Sequence, residues 1–391
     1  MRNSNKDNKR RICVVVASRA NYGRIKTAMQ AIKDHPELEL QLVVAASAML
    51  ERYGSAINVI RADGFEPDAV AHVIIEGENP TTMAKSTGLA LIELSTILEN
   101  LKPDVVLTVA DRFETMATAV AASYMNIPLA HTQGGEVSGS IDESVRHAIT
   151  RLAHIHFPAT ELAKERLIKM GEEPSTVHWV GCPAMDLAAD VDRTIDQRFI
   201  ERYSQRGVGN NVDFTKPYIV VLQHPVTTEY GSGRKQIEQT LAAVTSLDIQ
   251  IVWLWPNVDA GSDDVSKGIR SHRENNDCSH MHFFKNFDPD DYIKLLANTK
   301  CLVGNSSSGL REGAFMGVPA VNIGTRQRGR ETAANIKLVS YDAAEIRSAI
   351  EEHLAHGHYE PEFIYGDGTA GKQVADVLAT AEPVLDKVLQ L

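Results

Sequence analysis

The chain has 391 residues, 43% hydrophobic and 23% charged, which is too long for one ordinary core and suits a globular protein of two domains. Its formal net charge of −11 excludes nucleic acid as the main partner, because phosphate backbones reward a basic surface, so an anionic ligand calls for a local cluster of arginines. Cys13, Cys182, Cys278 and Cys301 are far apart and form no C-x-x-C pair, which predicts reduced thiols and no disulfide framework or zinc site.

The N-terminus is basic and polar, but the apolar run Ile12 to Ala17 is too short for a signal-peptide core. No run approaches the roughly 18 apolar residues of a membrane helix, so the chain is expected to be cytoplasmic, with no membrane partner. Ile12 to Ala17 instead reads as a buried strand, followed by Ser18-Arg-Ala-Asn-Tyr-Gly23 and a helical pattern over Ile25 to Ile32. G-x-G-x-x-G is missing here, so a dinucleotide fingerprint is absent and no nicotinamide cofactor is expected. Arg19 is either a phosphate contact or a solvated loop arginine.

Strands and helices then alternate. Leu38 to Ala46, Val70 to Ile75 and Val105 to Ala110 read as strands; Met49 to Arg61 and Thr81 to Leu101 read as helices. Such alternation predicts a parallel, doubly wound α/β sheet. Asp111 and Arg112 fall at the carboxyl end of a strand, on the edge where open α/β sheets bind ligands. Asp111 is also an acceptable helix N-cap.

Residues 127 to 157, IPLAHTQGGEVSGSIDESVRHAITRLAHIHF, form the richest stretch. Ile127 to Ala130 reads as a strand, and Gly134-Gly135 breaks it. Val145, Ala148, Ile149 and Leu152 set the apolar face of a helix that starts at the capping-box pattern Ser140-Ile-Asp-Glu143. Capping explains Ser140 and Glu143 without chemistry, but neither Glu136 nor Asp142 is needed for it. His131 suits a satisfied histidine at a strand end equally well.

Val177 to Gly181 closes the first half, and the polar stretch between about 183 and 216 reads as a linker. The second half repeats the alternation. Tyr218 to Leu222 delivers Gln223 and His224, and Ile249 to Trp255 delivers Pro256 and Asn257. His282 to Phe284 is a further strand, and Ala320 to Ile323 is the last. Between them, Cys301 to Gly304 runs into Asn305-Ser-Ser-Ser-Gly309 and a helix over Leu310 to Met316. Hydroxyls and free amides at a helix N-terminus make an anion cradle. Glu312, one turn in, has the acceptor-only carboxylate that suits a pair of sugar hydroxyls, and Arg326, Arg328 and Arg330 follow the next strand. His353, His356 and His358 lack the spacing of a metal site and suit a helix C-terminus.

The expected organisation is a disordered segment 1–11, a Rossmann-like domain 12–185, a second Rossmann-like domain 186–365, and a helix in 366–391 that packs back on the first. Two such domains face a cleft.

The stretches DRF and GGEVSGSIDESVRHAITRLAH within 104–157, LQHPVTT within 221–228, PNVDAG at 256–261, and GNSSSGLREGAF with GTRQRGRE within 304–331 resemble the hydrolysing UDP-N-acetylglucosamine 2-epimerases of sialic and legionaminic acid synthesis. The likeness runs from about 12 to 365. It implies the two-domain architecture of the B-type glycosyltransferases, usually as a homodimer or a dimer of dimers, with UDP-sugar and UDP as ligands. By position, Arg19, Ser306, Ser307, Glu312 and Arg326 match UDP-binding residues. Asp111, Asp142 and His224 match catalytic positions, and Asn257 lines the cleft with Arg112, Gln133 and Glu143 as further substrate contacts. Three departures stand out. Gln133 occupies the place of a family glutamate and cannot serve as acid or base, which leaves Glu136 as a substitute. Ala46-Ser-Ala48 lacks a histidine of the sialic acid enzymes, and Asn286 stands where the animal enzyme has another. The resemblance implies conversion of UDP-N-acetylglucosamine and water to N-acetylmannosamine and UDP through a 2-acetamidoglycal; fewer polar groups near the sugar make the less hydroxylated UDP-2,4-diacetamido-2,4,6-trideoxyglucose the alternative substrate for the same chemistry. A non-hydrolysing epimerase, a glycosyltransferase and a silent UDP-sugar sensor are the rival expectations.

Overall fold

The structure is a computed structural model that describes residues 9–51, 54–77, 79–110, 112–138, 141–256 and 261–388. Six strands build the first sheet: β1 (Arg10–Val16), β2 (Leu38–Ala45), β3 (Ala69–Ala71), β4 (Val105–Val109), β5 (Leu129–Thr132) and β6 (Ile155–Phe157). Their order is β3-β2-β1-β4-β5-β6, and every pairing is parallel. Alternation along β1 explains both faces. Ile12, Val14 and Val16 enter one core, while Cys13, Val15 and Ala17 enter the core on the other side.

The second sheet contains β7 (Val208–Gly209), β8 (Tyr218–Leu222), β9 (Gln250–Leu254), β10 (Met281–Phe284), β11 (Leu302–Gly304), β12 (Ala320–Ile323) and β13 (Ile336–Val339), in the order β13-β12-β11-β8-β9-β10-β7. All its pairings are parallel except β10 with β7. Tyr218, Val220 and Leu222 face one core and Ile219 and Val221 the other. Both sheets therefore reverse their winding beside their first long strand, between β1 and β4 and between β8 and β11. Crevices at such reversals are where open α/β sheets hold ligands.

Several expected boundaries are corrected. The strand expected at Val70 to Ile75 is only Ala69–Ala71, and the helix expected from Met49 to Arg61 is a short 3-10 turn, Ala46–Met49, followed by a helix at Ala56–Ala62. Val177 to Gly181 contributes a single bridge, His156 to Val177. The stretch taken for a linker contains the helices Pro183–Asp190 and Gln197–Tyr203 as well as β7. Phe199 and Tyr203 are buried there among Phe214, Phe284 and Phe287, so polar outer faces conceal an aromatic inner one. Arg10 and Arg11 already belong to β1, and the rest of the segment expected to be disordered falls mostly outside the described residues.

The chain passes between the sheets at Val180 to Cys182: Val180 lies in the first core and Cys182 in the second. Val374, Ala375 and Leu378 of the helix Ala370–Thr380 lie in the first core. Asp186 holds the start of that helix, accepting from the amides of Ala370 (2.9 Å) and Gly371 (2.6 Å) and from the Thr27 hydroxyl (2.9 Å). Among the described residues, no helix is long and apolar enough to cross a membrane.

Candidate active site

A cavity of ≈ 550 Å³ lies between the carboxyl edges of the two sheets. From the first sheet it is lined by Ser18, Arg19, Arg24, Ser47 and Arg112; from the second by His224, Asn286, Tyr292, Ser306–Ser308, Glu312 and Arg326. All five residues matched to UDP binding therefore share one cavity with His224 and Arg112.

Asn305 sets the register of the second-sheet wall. Fully buried, it accepts from the His224 amide through Oδ1 (2.7 Å) and donates through Nδ2 to the His224 carbonyl (2.8 Å). Its own carbonyl accepts from Gln327 Nε2 (2.8 Å) and Arg326 Nη1 (3.3 Å). One side chain and one carbonyl thus align the histidine, the serine turn and the arginine loop. Gly304 permits this, since its φ is +136° and a Cβ there would stand 2.1 Å from the Leu222 carbonyl.

The serine cradle differs from expectation in one respect. The helix begins at Glu312, with Arg311 as its N-cap, and spans only Glu312–Met316. Ser306 to Gly309 is a turn ahead of that helix, whose amides from Ser308 to Arg311 are used within the turn, so the serines, more than a helix dipole, line the cavity. Arg24, absent from the sequence-level expectations, donates to Ser307 Oγ (2.7 Å). Its only signal in the sequence is a second arginine five residues after Arg19. Glu312 Oε2 is buried with no hydrogen-bond partner in the protein, and burial pushes its carboxyl above the usual range. An orphaned buried acceptor of this kind suits hydroxyl donors brought by a ligand. Arg19 donates to the Phe287 carbonyl and to Asp288 Oδ1 (2.8 Å), bridging the mouth of the cleft. Arg112 is paired with buried Glu114 (3.2 Å).

The carboxylate loop is placed differently. Asp142 occupies the first turn of the helix Ile141–Leu152, and its neighbour Glu143 accepts from the Ser138 amide (2.9 Å). Glu143 is thus used to order the loop, and the expected partner, Ser140, lies outside the described residues. Gln133 and Glu136 are both buried, and none of Gln133, Glu136, Asp142 and Glu143 lines the cavity. Glu136 binds Arg311 Nη2 through both oxygens (2.7 and 2.6 Å) and approaches Arg330 Nη1 (3.4 Å). Burial opposes its charge, but Arg311 and Arg330 hold its carboxyl below the usual range. A carboxylate so committed is a poor candidate for proton exchange with a sugar. Asp111 and Asn257 lie outside the described residues.

The histidines set aside as a metal cluster have other partners. His353 lies 3.3 Å from the Ala320 carbonyl, His356 stacks on Tyr359, and His358 lies 3.2 Å from the Thr299 carbonyl. No group of three or more metal-ligating side chains occurs among the described residues.

Two facing doubly wound sheets with an anion cradle and an arginine pair across their cleft define a protein of B-type glycosyltransferase-like architecture. The chain belongs to the UDP-N-acetylglucosamine 2-epimerase family, whose model matches residues 30–379. It is 34% identical over 373 residues to the UDP-N,N'-diacetylbacillosamine 2-epimerase (hydrolyzing) of Legionella pneumophila, covering 95% of this chain and 96% of that one. It is 28% identical to the UDP-N-acetylglucosamine 2-epimerase of Neisseria meningitidis, with 95% and 96% covered. The crystal structure of UDP-GlcNAc 2-epimerase from Methanocaldococcus jannaschii in complex with UDP-GlcNAc and UDP shares the fold, with a TM-score of 0.79 at 16% identity over 95% of this chain and 100% of that one.

Proposed function

We propose that the chain is a hydrolysing 2-epimerase of a UDP-2-acetamido sugar, with UDP-2,4-diacetamido-2,4,6-trideoxyglucose as the preferred substrate. The observation that carries this reading is the cavity itself, which gathers Arg19, Arg24, Arg326, the three serines, Glu312 and His224 around one volume. Glu312 receives the ribose diol. The serine turn and the arginines take the diphosphate, whose charge grows as it leaves. A carboxylate base removes the C2 proton while the C1–O bond to UDP breaks, which gives a 2-acetamidoglycal and UDP. Water then adds at C1 and a proton returns to C2 on the opposite face, so the product is a free 2-epimerised sugar. Asp142 and Asp111 are the acid/base pair, and His224 stabilises or protonates the departing UDP.

The sugar preference rests on the hydrolysing diacetylbacillosamine relatives from Legionella pneumophila and, at 29% identity, Campylobacter jejuni. The cavity lining agrees with it: Ser47 belongs to the stretch that lacks the histidine of the sialic acid enzymes, and Asn286 stands where the animal enzyme has one. UDP-N-acetylglucosamine is the second reading, favoured by the Neisseria relative. UDP release from the two compounds, measured side by side, tests the choice. The diacetamido compound is expected to give a kcat/KM at least about tenfold higher, the scale on which a pocket separates closely related groups. A higher value for UDP-N-acetylglucosamine reverses the assignment. The active species is proposed to be a cytoplasmic homodimer.

A further inference from the structure

We infer that Arg311 is an interdomain fastener, and that Gln133 and Glu136 are positioning residues that seat it, so that the acid/base loop and the phosphate cradle move as one body. The inference rests on the functional reading above. Arg311 comes from the second-sheet half, between the cradle serines and Glu312, and is 2% exposed. Its amide donates to the Ser307 carbonyl within its own half (3.1 Å), whereas its guanidinium reaches across the cleft and to the crossing. Nη1 donates to Gln133 Oε1 (2.8 Å) and Cys182 Sγ (3.4 Å), and Nη2 donates to both oxygens of Glu136. The guanidinium also sits over the Tyr365 ring, 5.4 Å from its centroid.

None of Arg311, Gln133 and Glu136 lines the cavity, and the side chains of all three are engaged with one another. They reach the chemistry through the backbone. Arg146 projects from the helix that carries Asp142 and donates to the Glu136 carbonyl (2.7 Å). Glu136 thus holds the cradle with its side chain and the Asp142 helix with its carbonyl. Gln133 is pinned in the left-handed region (φ 62°), a conformation that non-glycine residues hold only where their surroundings impose it. Thr160 and Glu331 make a further link between the halves (2.5 Å) on the segment that follows Arg326 and Arg330. An amide at 133 fits this role. It offers Arg311 a neutral oxygen and Cys182 a donor (3.4 Å), which a carboxylate would not do together.

The test compares the parent chain with Glu136→Gln and Gln133→Ala by steady-state kinetics across pH and by small-angle scattering without ligand. Glu136→Gln is expected to lower kcat about 10- to 100-fold with KM within about threefold, because misplacing a reacting group by an ångström costs on that scale. Both limbs of the pH profile should stay where the parent has them. Its ligand-free radius of gyration should rise above the parent value and return to it with UDP. Gln133→Ala should move both readouts the same way by a smaller amount, and it decides the matter if Glu136→Gln does not fold. Disappearance of one pH limb in Glu136→Gln would make Glu136 itself the proton carrier. A parental kcat and radius in both variants would make the contact idle, and either result overturns the inference. If the parent turns over no UDP-sugar, the functional reading fails, while the scattering comparison still decides the fastener.

Discussion

At the scale of single residues, the site depends on side chains that bind other protein groups as much as on those that face the cavity. Asn305 is the clearest case, because two hydrogen bonds of opposite sense hold the His224 backbone. Asn305→Asp keeps the shape but replaces the donor to the His224 carbonyl by an acceptor. A lost buried hydrogen bond with an oxygen left facing another costs about 1–3 kcal/mol, so kcat/KM is expected to fall about 10- to 100-fold. Steady-state UDP release checks this, and a parental value would mean that His224 needs no clamp. The sequence pointed to His224 and Ser306, which follow apolar runs, and to Glu312 one turn beyond the serines, because each carries a chemistry of its own. It did not point to Asn305, Arg24 or Arg311, whose importance comes from partners up to 283 positions away. The Glu136 ion pair was hidden for the same reason, since nothing local indicates that Arg311 meets it from the other half.

At the scale of elements, β8 and β11 bring the two loops of the cradle wall together, and they do so at a glycine. In Gly304→Ala the new methyl would meet the Leu222 carbonyl at 2.1 Å with φ at +136°. Alanine at an incompatible backbone position costs more than about 1 kcal/mol, and the clash adds to that. A loss of at least about 2 kcal/mol in urea denaturation is therefore expected, and an unchanged midpoint would contradict the close approach. The buried strands were legible because runs such as Ile12 to Ala17 and Tyr218 to Leu222 are apolar on both faces. β13 was not: Ile336–Val339 is an edge strand with half-exposed side chains and a lysine in its middle. β7 is two exposed residues. The helices at Pro183–Asp190 and Gln197–Tyr203 were hidden by polar outer faces, so the expected linker is in fact part of the second core.

At the scale of the whole molecule, buried titratable groups set how the fold responds to acid. His131 is buried with Nε2 2.8 Å from the Ala110 carbonyl, and burial lowers its pKa from 6.5 to about 3. The unfolded chain takes up this proton first, so the stability it supports is full above about pH 6.5 and is lost as pH falls toward 3. Glu172 adds to the trend. Burial raises its pKa, but hydrogen bonds from His156 and Lys387 outweigh that and lower it from 4.5 to about 2. Its contribution is present above pH 4.5 and fades between 4.5 and 2. Denaturation at a series of pH values should show stability declining from pH 6.5 downward, less steeply between pH 6.5 and 3 in His131→Gln and less steeply between pH 4.5 and 2 in Glu172→Gln. Equal slopes in parent and variants would contradict these assignments. Lys387 lies in the C-terminal tail and also donates to the carbonyls of Thr150 (2.8 Å) and Ala153 (2.6 Å), so the tail takes part in the first half's electrostatics.

The central claim is that this cleft eliminates UDP and hydrates the glycal with inversion at C2. NMR of the enzyme in deuterated water, with UDP-2,4-diacetamido-2,4,6-trideoxyglucose and separately with UDP-N-acetylglucosamine, tests it most directly. Free UDP together with a manno-configured sugar that carries deuterium at C2 is the predicted result. Deuterium at C2 of intact UDP-sugar, or no exchange and no UDP from either compound, would contradict it.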